Sequence, residues 1–237
     1  MDPVEANELL QAQMAEDEEA ASGDVMGLGL NPEIVQEINS KKAANPSMFV
    51  SGFEADDYGV EKNLDDPAEE FLTAAEEGDL AKVKAMIATA RNEGRLQELL
   101  DSRDADRYTA VHRSAYNNHV EVLKALLEAG SDPTATSADG WTPLHSAAHW
   151  ACPETLGVLL STRRVDVNAM TAGRNMPIHF AINSPVKDRS LVVHTVYYLL
   201  AAPGLNAAAK NGAGDTPYAL ARRTCPKVTE MVRRFLY

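Results

Sequence analysis

The clearest hydrophobic pattern in the chain lies between Val120 and Leu127, where apolar residues fall at intervals of three and four. This spacing places apolar side chains on one face of an α-helix. Gly130 follows the run and suits the left-handed backbone that ends many helices. Further along, Thr142 and Pro143 are typical of an N-cap and a first helical position. The pattern therefore predicts helix pairs, a short helix followed by a longer amphipathic one.

One short motif occurs several times at nearly constant spacing. YTAVHRSA, which begins at Tyr108, aligns with WTPLHSAA, which begins at Trp141 and lies 33 residues later. Two weaker copies follow, NMPIHFA from Asn175 and DTPYALA from Asp215, and EEFLTAA from Glu69 precedes them. A period of this length indicates stacked units, none of which buries its apolar face alone.

The motif resembles the ankyrin repeat, whose signature is T-P-L-H-x-A at a period of 33 residues. The resemblance covers residues 67–237 as about five units, of which the outer two are degenerate. It implies an all-α ankyrin-repeat solenoid of helix-turn-helix units joined by hairpin loops. The run from Asp139 to Ala147, Trp150, and the segment 219–224 are similar to the ankyrin repeat domain-containing protein 49 family. That likeness implies a protein-binding adaptor or scaffold of the nucleus and cytoplasm, associated with transcriptional regulation.

The net charge is concentrated at the N-terminal end of the chain. The formal charge of the 237 residues is −13, and residues 1–66 alone hold 16 acids and 3 bases. We therefore expect an acidic, mostly disordered arm at 1–66 and a folded, electrically balanced repeat domain at 67–237. Because the arm repels phosphates, no direct nucleic-acid binding is expected.

The acidic arm has three interpretations that stay open. It is a solubilising tail, a segment that gives a partner a second contact, or an edge that packs back on the repeats. The second contact would use Met48, Phe49, Val50 and Phe53. A sharper hypothesis is that the arm covers a basic strip until a partner displaces it. That strip would consist of Arg163, Arg164, Arg222, Arg223, Arg233 and Arg234.

Residues that could carry chemistry are few. His112, His145 and His179 occur once per repeat, so they cannot all lie about 2 Å from one metal ion, and we expect them to make structural hydrogen bonds. Cys152 and Cys225 are the only cysteines, which excludes a disulfide framework. The chain has no phosphate-binding loop and no nucleophile elbow. We therefore expect no enzyme, no cofactor and no metal.

The first residues, MDPVEANELLQ, have neither the basic nor the apolar region of a secretory signal. No stretch approaches the roughly 18 apolar residues that span a bilayer. We therefore expect a soluble monomer of a reducing compartment, without membrane contact.

The resemblance also assigns candidate partner-binding residues, because ankyrin repeats bind with their hairpin tips and the exposed side of the first helix. On this concave face the matching positions are Asp106, Tyr108, Tyr116, Asn117, Asp139, Trp141, His149, Trp150, Asn175, Asn183, Ser184, Asp215 and Arg223. Aromatic residues dominate binding hot spots, where truncation costs ~2 kcal/mol or more. For Tyr108 and Trp141, packing against a neighbouring hairpin is an alternative that stays open.

Two functions remain open from the sequence. The chain is an adaptor or scaffold, or it is an inhibitor or assembly chaperone that occludes a functional surface of its partner. The fourth unit differs from the others because Met176 replaces the capping threonine. The loss of such a cap costs about 1 kcal/mol, so this unit is predicted to be the least stable.

Overall fold

The computed structural model describes residues 66–236. These residues form eleven α-helices and contain no β-strand, so the predicted all-α class is confirmed. The helices are α1 (Pro67–Glu77), α2 (Leu80–Asn92), α3 (Leu96–Leu100), α4 (Ala110–Tyr116), α5 (Val120–Ala129), α6 (Pro143–His149), α7 (Pro153–Ser161), α8 (Pro177–Ile182), α9 (Arg189–Ala201), α10 (Pro217–Thr224) and α11 (Pro226–Leu236). The predicted disordered arm, including Met48, Phe49, Val50 and Phe53, lies outside the described residues, and the boundary between 66 and 67 stays a prediction.

The helices are arranged in two layers. The first helix of each unit (α1, α4, α6, α8 and α10) packs against the first helices of its neighbours, and this set is called the first-helix layer. The second helices (α2, α5, α7, α9 and α11) stack in the same way and form the second-helix layer. The short helix α3 packs on α1 and α2 and extends the first unit. Each unit therefore buries its apolar surface mainly against its neighbours.

The hydrophobic core runs between these layers through the length of the array. Leu123, Leu144 and Leu156 are fully buried, and each such side chain contributes about 1.5–3 kcal/mol through the hydrophobic effect. Ala147 and Ala148 are also fully buried in the first-helix layer. Their small side chains let α6 approach its neighbours closely, as the motif predicted.

Several helix ends are capped by local residues, and the one at Gly130 agrees with the sequence prediction. Gly130 ends α5 with a left-handed backbone, at φ +110°. At the start of α10, Oγ1 of Thr216 accepts a hydrogen bond of 3.2 Å from the backbone N–H of Ala219. Asp66 caps α1 by accepting from the N–H of Ala68 at 2.9 Å. These caps satisfy backbone groups that the helix itself leaves without partners.

The hairpin tips between units are joined by backbone hydrogen bonds. The N–H of Ala138 donates to the carbonyl of Asp106, and the N–H of Ala172 donates to the carbonyl of Asp139, both at 2.9 Å. Gly212 continues this pattern at the next tip with a bond of 3.0 Å. The tips are consequently held in register along the array.

The motif histidines have the predicted structural role. Nδ1 of His112 accepts from the N–H of Thr109 at 3.2 Å, so the proton is on Nε2, which donates to the carbonyl of Trp141 at 3.0 Å. Nδ1 of His145 accepts in the same way from Thr142 at 3.1 Å. Burial lowers the pKa of both His112 and His145 to about 4. Both rings are therefore neutral at pH 7, and each ties its own unit to the next.

The fourth unit makes fewer of these hydrogen bonds. Met176 is fully buried and has no hydroxyl, although its N–H still donates to Nδ1 of His179 at 3.1 Å. The buried Nε2 of His179 makes no hydrogen bond. The carbonyls of Ala209 and Asp215 are near the ring and favour its charged form, but burial dominates and lowers the pKa of His179. This difference is the physical basis for the prediction that the fourth unit is the least stable.

Candidate functional site

Five rings come together on the first-helix layer and form what we call the aromatic cluster: Tyr116, Trp141, His149, Trp150 and Phe180. The ring centroids of Trp141 and Phe180 are 4.3 Å apart, and His149 lies edge-on to Trp141 at 5.5 Å. Trp150 is 5.0 Å from His149 and 6.4 Å from Tyr116. All five side chains are half-buried. The cluster is thus continuous across three successive units and partly open to solvent.

Each ring is positioned by a defined point of the repeat. Tyr116 and His149 are the last residues of α4 and α6, and Trp150 directly follows α6. Trp141 lies at a hairpin tip, where its N–H donates to Oγ of Ser137 at 3.1 Å. Phe180 lies inside α8, so the five rings come from neighbouring helix ends, a hairpin tip and a helix interior.

A polar network supports the edge of the cluster at Tyr116. The Tyr116 hydroxyl donates to Oε1 of Glu76 at 2.8 Å, and Asn117 donates to the carbonyl of the same glutamate at 2.8 Å. Arg113 forms ion pairs with Glu76 and with Asp104, and its side chain is only 13% exposed. Burial and the Glu76 carboxylate raise the pKa of Tyr116. Tyr116 and Asn117 therefore join the first and second units.

His149 occupies the centre of the aromatic cluster. Its ring is nearly perpendicular to those of Trp141, Trp150 and Phe180, at angles of 83°, 83° and 87°. The buried Nδ1 atom of His149 has no hydrogen-bond partner. Burial lowers the pKa of this imidazole, so it is neutral at pH 7. The cluster consequently presents a largely apolar surface with no charge of its own.

The other predicted tip residues are separate from the cluster. Asp106 and Asp139 are exposed, while their carbonyls hold the tip-to-tip bonds described above. Tyr108 packs edge-on against His112, with ring centroids 5.3 Å apart. Asn175 accepts a hydrogen bond of 3.0 Å from the side chain of Asn211. The side chain of Tyr108 is half-buried, so packing accounts for part of its surface.

The structure does not bring the remaining candidates into the cluster. Asp215 forms an ion pair with Arg223 near α10. Asn183 is exposed just after α8. Ser184 is only 4% exposed, and its hydroxyl accepts from the N–H of Val186 at 3.3 Å, so it offers little surface to a partner.

Two important residues were missed by the sequence analysis, Phe180 and Arg113. Both occupy the position directly after the motif histidine, where the third unit has Ser146. That position lies in the first-helix layer, where the aromatic cluster is. The sequence signal that could have identified both residues was a large side chain directly after the motif histidine in the second and fourth units.

Other functional centres are not evident in the described part of the chain. Residues 66–236 contain no group of three or more His, Cys, Asp or Glu side chains arranged to hold a metal ion. No helix described there is long and apolar enough to cross a membrane. Burial raises the pKa of Cys152 to about 12, and its Sγ donates to the carbonyl of Tyr116 at 3.3 Å. This thiol packs structurally and is not an activated nucleophile.

Comparisons with known proteins agree with the repeat architecture. A sequence model described as ankyrin repeats (3 copies) matches residues 71–171. Mouse protein phosphatase 1 regulatory subunit 12A is 38% identical over 80 residues, which are 32% of this chain and 8% of that protein. Ankyrin repeat domain-containing protein 49 is 36% identical over 78 residues in Bos taurus and 33% over 96 residues in Drosophila melanogaster. These matches cover 32% and 36% of this chain, and 30% and 39% of the two relatives.

Proposed function

We propose that this chain, whose residues 71–171 match ankyrin repeats and which resembles ankyrin repeat domain-containing protein 49, is a non-catalytic binding module whose partner docks on the aromatic cluster. The observation that carries this proposal is the continuity of five half-buried rings across three units. Tryptophan and tyrosine are enriched in binding hot spots, which lie in well-packed pockets that exclude water. The half-buried rings packed around His149 meet that description.

The rigidity of the site determines how it would bind. The rings are held by helix ends and by the hairpin tip, so few side-chain rotamers are lost when a partner docks. Asn117, which directly follows Tyr116, and Asp139, two residues before Trp141, would provide polar contacts at its margin. In this proposal the chain acts as a monomeric adaptor or scaffold in the nucleus and cytoplasm, with the concave side of the repeats as the docking face.

The test is a comparison of tagged variants in a pull-down followed by mass spectrometry. Trp150→Ala and Phe180→Ala should each lose one stoichiometric partner that the unaltered chain retains. Met170→Ala is the matched control, because Met170 is a large apolar residue outside the aromatic cluster that is 45% exposed. Circular dichroism checks that the variants are folded, and the partner is then purified and titrated directly. Equal recovery of every partner by all three folded variants would refute the proposal.

A second candidate is the regulation of an enzyme by occlusion of its surface. The observation that favours it is the likeness to a regulatory subunit of protein phosphatase 1, which is 38% identical over 80 residues. The experiment adds the full chain to purified protein phosphatase 1 catalytic subunit and follows dephosphorylation of a protein substrate. A stoichiometric change in activity, absent with Trp150→Ala, would support regulation. Binding without any change would favour the adaptor role, and the absence of binding would eliminate this enzyme as the partner.

A further inference from the structure

A second aromatic surface lies on the opposite helix layer, near the last unit. The ring centroids of Tyr197 and Tyr198 on α9 are 6.3 Å apart, and Phe235 on α11 is 6.4 Å from Tyr197. Tyr198 is 45% exposed and Phe235 is 47% exposed. Met170 is the only other large hydrophobic side chain with comparable exposure in the described residues. Two of the three most exposed large apolar side chains therefore belong to one continuous surface.

This surface is bordered by positive charge. The segment 217–236 contains five basic residues and a single acid, Glu230. Arg233 and Arg234 both bind Glu230, at 2.9 and 3.0 Å, and their side chains remain 57% and 75% exposed. One carboxylate cannot neutralise two guanidinium groups, so positive charge remains next to Phe235. The rings with Arg233 and Arg234 are called the basic aromatic patch.

We propose that the basic aromatic patch binds an acidic segment of another protein, one that carries aromatic or aliphatic side chains between its carboxylates. Exposed arginines form paired, charge-assisted hydrogen bonds with carboxylates. An apolar side chain of the same segment covers Phe235 and Tyr198 and removes their surfaces from water. Both features of the patch are thereby satisfied by one ligand.

The same charges favour a peptide over a nucleic acid. A nucleic acid carries a charge on every phosphate at a fixed spacing along its backbone, so its charges cannot be arranged around an intervening carboxylate. Glu230 lies between the two arginines and would face that dense charge directly. A peptide can space its carboxylates around Glu230 and place an apolar residue against the rings.

The patch acts independently of the aromatic cluster in this inference. Its side chains are on α9 and α11 of the second-helix layer, whereas the aromatic cluster belongs to the first-helix layer. Phe180→Ala should therefore leave binding at the patch unchanged, even though it abolishes docking at the cluster.

The experiment measures fluorescence anisotropy of a labelled peptide of four Glu-Glu-Phe triplets titrated with the full chain. Arg234→Glu and Phe235→Ala should each weaken binding about tenfold. Met170→Ala and Arg91→Glu are matched controls of similar chemistry and exposure elsewhere, and should change the affinity by less than about twofold. Raising the salt from about 50 to about 300 mM should weaken binding to the unaltered chain, because exposed charges are screened.

Three results would overturn the inference. The first is an equal change in affinity for the patch variants and the matched controls. The second is equal binding of a peptide in which lysine replaces every glutamate. The third is tighter binding of a labelled single-stranded DNA with the same number of charges as the peptide. All four substituted residues are at the surface, so their variants are expected to fold, and circular dichroism verifies this before titration.

Discussion

Mild acid should destabilise the repeat array through its buried histidines. His112 and His145 are fully buried, and burial lowers the pKa of each to about 4. In the unfolded chain an unperturbed histidine has a pKa near ~6.5. The unfolded state therefore binds more protons than the folded state between these values, and stability is lost as the pH falls from about 6.5 towards 4.

The magnitude follows from the two pKa values. At pH 5.5 about nine-tenths of the unfolded histidines are protonated, while the folded ones are almost entirely neutral. Each ring then lowers the free energy of unfolding by about 1.4 kcal/mol, and the pair by about 3 kcal/mol, relative to pH 7.5. The pKa of His149 and that of His179 are also lowered by burial, so these residues add to the loss in the same direction.

The assay is urea unfolding at pH 7.5, 6.5 and 5.5, with the free energy obtained by linear extrapolation. Free carboxyl groups titrate mainly below this window, so histidines account for most of the change. NMR titration of the imidazole Cε1 protons provides the control that assigns the effect to His112 and His145. A midpoint that stays constant or rises at pH 5.5, or a folded His145 that titrates near ~6.5, would refute the reasoning.

Three further outcomes follow from local geometry. Thr142→Val removes the hydroxyl that lies 2.8 Å from Nδ1 of His145. The free energy of unfolding in urea should fall by about 1 kcal/mol, and the matched Thr142→Ser should recover most of this loss. Gly212→Ala would place a Cβ atom 2.6 Å from the carbonyl oxygen of Gly173, and a thermal melt should show a loss of about 1–3 kcal/mol; an unchanged melt would contradict this. Cys152 should resist iodoacetamide at pH 8 until denaturant is added, as its pKa is raised to about 12, and mass spectrometry would detect early alkylation.

The helix pairs could be predicted because their signals are local. Thr142, Pro143 and Gly130 influence the backbone within a few residues, and the apolar spacing of α5 identifies its buried face. The repeat period then indicated which units are neighbours. The structural role of His112 and His145 followed from the same period, because residues one repeat apart cannot converge on an ion.

The candidate site was predictable only in part. Tyr116, Trp141, His149 and Trp150 were identified from their repeat positions, and the structure brings these four together. Phe180 was missed, and Ser184 was included although it is buried. The positions of Phe180 and Ser184 both depend on how the fourth unit stacks on the third, and the fourth unit has an unusual loop before α9.

The sequence by itself determined the helical class, the repeat period and the order of the units, because caps, turns and apolar spacing act over short distances along the chain. The tertiary structure alone decided which side chains from different units meet. Trp141 and Phe180 are 39 residues apart in sequence, yet their rings are separated by 4.3 Å, since stacking of α6 against α8 sets that distance. The basic aromatic patch arises in the same way, from the packing of α11 on α9, and not from any local pattern.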